Sequence, residues 1–137
     1  FVAGSAVAEP ATNSPDSSPA AMSHTHPMLE VDPALPVPTV TLEAVKDEKD
    51  GYNLHLVTTN YTFTPEAANS PPAANTGHAH LYVNGQKVAR VYGEWFHLPA
   101  ADLAQGLNAV EVTLNANDHS EWVYEGAHLA ATTTVQN

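Results

Sequence analysis

Eight histidines stand in a chain of 137 residues that contains no cysteine. Four of them form two His-x-His pairs, His24-Thr25-His26 and His78-Ala79-His80. Side chains alternate across an extended strand, so both imidazoles of such a pair leave one face and can reach a single ion. Neutral imidazole suits copper and zinc alike. The first pair runs into Pro27-Met28 and follows Met22; a thioether sulfur favours the softer Cu(I). Without cysteine, disulfides, zinc-thiolate sites, Cys nucleophiles and the blue-copper electron-transfer site are all excluded.

The elements that must position these residues are short strands. Gly77-His78-Ala79-His80-Leu81-Tyr82-Val83 runs into Asn84-Gly85, a two-residue turn that signals a β-hairpin. Ala79, Leu81 and Val83 would face a core, leaving His78 and His80 on the other side. Pairing the return strand, Lys87 to Tyr92, about that turn puts His80 opposite Ala89 and His78 opposite Val91, so the His face is expected to be half covered. Val40, Leu42 and Ala44 alternate with polar neighbours in a first strand. Tyr52 to Thr59 forms a second, and its alternation can be continued through Tyr61 and Phe63. Thr64 to Thr76 reads as a long loop. Glu94 to Leu98 is a short strand with Phe96 and Leu98 on one face, Trp95 and His97 on the other. Pro99 to Gly106 is a connection with room for one helical turn. Val110, Val112 and Leu114 mark another strand, and Trp122 to Val135 a last strand or hairpin with a turn near Glu125-Gly126.

About seven short strands with turn signals between them indicate an all-β fold, a single antiparallel β-sandwich of immunoglobulin-like or cupredoxin-like kind, over residues 37–137. Residues 1–36 are an extended Pro/Ala/Ser-rich N-terminal segment carrying the His/Met motif. The alternation places His55 and His97 on non-core faces of their strands. His119 falls in the loop Asn115-Ala116-Asn117-Asp118-His119-Ser120, at a strand end where sandwiches display functional groups. Asp118 is expected to cap backbone amides or to orient His119. Asp118-His119-Ser120 is no hydrolase triad, because adjacent side chains point apart and triads assemble from distant segments.

The formal net charge is −11, from 4 Lys plus Arg against 15 Asp plus Glu. Nucleic acids and anionic membrane surfaces need a basic patch, so neither is an expected partner. No stretch is long enough to span a bilayer. The opening Phe1-Val2-Ala3-Gly4-Ser5-Ala6-Val7-Ala8 reads either as the end of a secretory signal, with Ala6-Val7-Ala8 its cleavage site, or as a mature start at Phe1. Both point to export, to a periplasm or to the cell exterior. A mature start at Phe1 also excludes copper monooxygenases that ligate through an N-terminal His.

Gly77-His78-Ala79-His80 resembles the His-x-His strand that supplies copper ligands in Cu/Zn superoxide dismutases, which also use a β-sandwich. That resemblance covers those few residues and implies a dismutase-like enzyme, without its disulfide and without a compact His/Asp-rich zinc loop. In size, and in joining His-x-His to a His/Met segment, the chain is similar to the small secreted copper-handling β-sandwiches of bacteria, the CopC-like and cupredoxin-like domains. CopC-type proteins ligate through a His at the mature N-terminus, where this chain has Phe1. This second resemblance implies an exported, non-enzymatic protein that binds copper, with zinc as second choice. The expected ligands are His78 and His80, with His24, His26 and Met28 from the N-terminal segment, then His119, His55 and His97. A competing expectation is a self-assembling filament subunit, a homopolymer in which the N-terminal segment adds a strand to a neighbour and metal sits at the contact.

Overall fold

A computed structural model describes residues 27–137. Met22, His24, His26 and the opening octapeptide lie outside the described residues. Two sheets face each other. The smaller has the order β2 (Thr39–Lys46), β3 (Tyr52–Thr59), β7 (Trp95–Leu98), all antiparallel. The larger is built on β5 (Thr76–Val83) and β8 (Leu107–Asn115), which pair antiparallel from His78↔Asn115 to Val83↔Val110. One side of β8 carries β11 (Ala130–Gln136) and β9 (Glu121–Tyr124); β9 also pairs with β10 (Ala127–His128) and, in parallel, with β1 (Met28–Glu30). β5 carries β6 (Gln86–Val91) and the two-residue β4 (Thr62–Phe63).

The core follows from period-2 alternation. Ala79, Leu81 and Val83 of β5 meet Val110 and Val112 of β8, and across the layers Leu54, Leu56 and Leu98. Burying one such leucine contributes about 1.5–3 kcal/mol. A smaller cluster of Val31, Leu114, Ala116 and Trp122 closes one end. Among the described residues no helix is long and apolar enough to cross a membrane.

Three features depart from the sequence expectations. The hairpin register is offset by a bulge between Leu81 and Tyr82, so His80 lies opposite Arg90 and Ala79 opposite Val91. One extra residue on β6 turns the pairing by one step, which removes the expected His78–Val91 and His80–Ala89 partners. The second strand ends at Thr59, because the φ of 57° at Asn60 breaks the extended run, and Thr62–Phe63 crosses to the other sheet. Residues 28–30, expected in the N-terminal segment, are a strand of the larger sheet, with the Glu30 carboxylate accepting the Glu125 amide.

Candidate metal centre

His78 and His80 lie on the face of β5 away from the core, and both are 0% exposed. The face expected to be half covered is therefore closed. Part of the cover comes from the half-buried Tyr92, whose ring centroid lies 5.2 Å from that of His78. The neighbouring positions of β8 are polar and buried as well: Asn115 beside His78, Thr113 beside His80, Glu111 beside Tyr82.

His119 arrives from the tight turn between β8 and β9. Its amide donates to Ala116 O at 2.9 Å, the Ala116 amide donates to Ser120 O at 2.7 Å, and its φ is +77°. Asp118 Oδ1 accepts the Ser120 amide at 3.0 Å, the capping role expected of it. Asn115 supports the turn from below, its Nδ2 donating to His119 O at 3.0 Å while its Oδ1 accepts the Thr113 hydroxyl at 2.6 Å. The loop after β4 is clipped to the same turn: the Asn69 amide donates to Asn117 O at 2.7 Å, and the Thr64 hydroxyl donates to Asn117 Oδ1 at 2.7 Å.

The outcome is a triangle of ring nitrogens. His78 Nε2 lies 3.0 Å from His80 Nε2 and 3.1 Å from His119 Nδ1, and His119 Nδ1 lies 3.4 Å from His80 Nε2. A ring nitrogen offers one in-plane direction, holding either a proton or a lone pair. Three such directions converging on one point cannot all be satisfied by hydrogen bonds among themselves. They can be satisfied together by a cation. Nitrogens at these separations accommodate an ion at ~2.0–2.1 Å from each, with angles from near a right angle to slightly beyond the tetrahedral one. Asn69 Oδ1 accepts from His119 Nε2 at 2.8 Å, which fixes the tautomer and turns the Nδ1 lone pair toward the cluster. His78, His80 and His119 thus form a group able to hold a metal ion.

The backbone under the pair is tightly held. Tyr61, on the link between β3 and β4, places its hydroxyl 2.7 Å from Asn115 O and 3.1 Å from His78 O, donating where β5 and β8 meet. Burial pushes the Tyr61 hydroxyl well above the ordinary phenol value. Gly77 has φ +143°, and a Cβ there would stand 1.9 Å from Asn115 O.

Beyond His80 the polar face continues through Tyr82, Glu111, Glu121 and His128. Glu121 is 1% exposed and its carboxylate is hydrogen-bonded to His128 Nδ1. Burial pushes the Tyr82 hydroxyl up to about 12, with the charges of Glu121 and Glu111 adding to it. Burial also raises Glu111, helped by Glu121 and opposed by His128. A carboxyl that holds its proton to higher pH when folded favours folding at low pH, and that contribution fades as pH climbs from about 4.3. Glu111→Gln is therefore expected to melt above the unsubstituted protein at pH 7 and level with it near pH 4, in paired thermal scans.

The other expected ligands are held elsewhere. His55 and His97 do sit on the outer face of their strands, but in the smaller sheet. His55 stacks on Trp95, with centroids 4.1 Å apart, and its Nε2 lies 3.4 Å from Glu94 Oε1. His97 Nδ1 donates to Asn53 Oδ1 at 2.8 Å. Met28 is 61% exposed on β1, paired with Glu121, and the structure does not bring it to the cluster. Sequence reasoning did not single out Asn69, Asn115, Glu111, Glu121 or His128. Only His128 carried a signal, as an unassigned member of a histidine-rich chain.

Fold and site together define a β-sandwich with a three-histidine cluster in which His78 and His80 are fully buried and His119 half-buried. Comparison with known proteins returns no matching family model, no matching curated protein and no matching solved structure, so the chemistry of the cluster has to be taken from its geometry.

Proposed function

We propose that the protein is an exported, non-enzymatic metal-binding β-sandwich that holds a transition-metal ion at His78, His80 and His119, copper first and zinc second. The observation that carries this is the convergence of three imidazole nitrogens within 3.0–3.4 Å. An all-nitrogen ligand set suits Cu(II) and Zn(II), and Cu(II) stands highest in the affinity order of divalent first-row ions. The buried carboxylates Glu111 and Glu121 on the same face favour a cation over an anion there.

The test is a competition titration with Cu(II), then Cu(I) and Zn(II). His78→Ala with His80→Ala removes two of three ligands. Since loss of one outer-shell partner already costs roughly 10–100-fold in affinity, tight binding should disappear. Unchanged affinity in the double variant overturns the proposal. Zn(II) bound more tightly than Cu(II) reverses the order of metals.

A further inference from the structure

The smaller sheet leaves one edge open. Among the described residues β7 pairs with β3 alone. In an antiparallel pair every second residue exchanges hydrogen bonds with its partner, and the residues between turn their amide and carbonyl outward. The Leu56 amide donates to Glu94 O at 2.7 Å, and the same alternation continues through Leu54↔Phe96 and Tyr52↔Leu98. Trp95 and His97 are therefore the residues whose backbone groups point away from β3. They form a short template on which a further strand can be laid.

The side chains along this edge define the kind of strand it suits. Trp95 is 60% exposed. His55 lies parallel to it on the β3 side, so one face of the indole is covered and the other looks out over the free edge. Carboxylates flank the stack: Glu94 Oε1 lies 3.4 Å from His55 Nε2, and Glu43 Oε1 3.9 Å from His55 Nδ1. The next outward position repeats the arrangement, with Asp50 Oδ2 3.7 Å from His97 Nε2 and Asp47 Oδ2 4.0 Å from His97 Nδ1. Directly paired residues face the same side of a sheet. An added strand would thus set one side chain beside the open indole face and another, two residues on, beside His97. A guanidinium suits the first place, since it stacks on aromatic faces and pairs with carboxylates. The carboxylates around His97 favour a cation at the second as well.

We infer that the β7 edge receives an extended segment of a basic partner protein, in which two cationic side chains stand two residues apart and the one opposite Trp95 is arginine. A second copy of this chain does not fit that description, because its four basic residues, Lys46, Lys49, Lys87 and Arg90, never stand two apart. The surface belongs to the smaller sheet, away from the histidine cluster of the larger one, and does not depend on a bound ion.

The experiment uses the full chain and a capped peptide of alternating arginine and threonine, about six residues long, the usual length of a strand. Calorimetric titration and amide hydrogen exchange follow the binding. The expected result is saturable binding that weakens with added salt, with slower exchange at the Trp95 and His97 amides. A matching peptide of alternating glutamate and threonine should not bind. Trp95→Ala should weaken the arginine peptide roughly two- to fivefold, the value of an exposed cation–π contact. Proline is accepted on an edge strand where its missing N–H would face solvent. His97→Pro should therefore keep the sheets, checked by circular dichroism, while losing most of the affinity that His97→Ala retains. Equal affinity of the proline and alanine variants overturns strand addition. An affinity unmoved by Trp95→Ala overturns the arginine contact, and equal binding of the glutamate peptide overturns the basic partner. No binding of the arginine peptide at low salt overturns the whole inference. If the two amides become protected in the chain alone as its concentration rises, with dimers in light scattering, the edge pairs with a second copy and the basic partner is again overturned.

Discussion

Gly77→Ala is expected to abolish the cooperative thermal transition and to leave little soluble protein. The residue sits at φ +143°, a conformation that L side chains rarely adopt, and its Cβ would stand 1.9 Å from Asn115 O and 2.9 Å from Ala116 Cα. Those are backbone atoms of β8 at its junction with the His119 turn, so no side chain can swing aside. Backbone strain of this class costs on the order of 1–3 kcal/mol before any clash is counted, against a total stability of about 5–15 kcal/mol. Gly126→Ala is the control: φ is +81° but nothing lies within 4 Å of the added carbon, so only the conformational cost of about 1 kcal/mol applies. A Gly77→Ala protein melting within a few degrees of the Gly126→Ala protein would contradict the close approach of β5 and β8.

Saturating Cu(II) is expected to raise the melting temperature, and a chelator to return it. An ion that binds only the folded state at a hundred times its dissociation constant contributes about 2.7 kcal/mol. For a domain of this size that corresponds to roughly 5–20 °C. His78→Ala with His80→Ala should show no such rise. Acidification should erase the rise in the unsubstituted protein as well, because a ligating imidazole has to be neutral and protons compete with the metal. Differential scanning calorimetry at several pH values checks both statements. A melting temperature indifferent to copper at neutral pH would leave the nitrogen triangle without its proposed occupant.

Much of the sandwich was legible because its strands alternate cleanly. Leu54 with Leu56, and Ala79 with Leu81 and Val83, are fully or almost fully buried, as a period of two requires. Asn84-Gly85 marked the hairpin correctly. The bulge at Leu81/Tyr82 was not legible, since one extra residue leaves the alternation of each strand intact and alters only their pairing. Burial of Glu111, Thr113 and Asn115 was hidden for a related reason: polar residues at alternate positions look the same whether they face water or a second polar layer. His119 was placed with the candidate ligands by its loop position. Its orienting partner Asn69 is 50 residues away in sequence, and no local pattern connects them. His55 and His97 had the correct strand faces, but assigning them to the smaller sheet needs the strand order, which is a long-range property.

The parallel pairing of β1 with β9 sets an order in time. Residues 28–30 leave the ribosome well before their partners, Glu121 to Val123, have been made. His119 likewise follows His78 by 41 residues. Pairings of such long separation form late, after the loops they close have been ordered. A partly synthesised chain thus holds the His78/His80 pair without its third nitrogen and without β1 in place. The complete triangle therefore waits on His119, and the three nitrogens cannot assemble before β8 and the turn that follows it have been made.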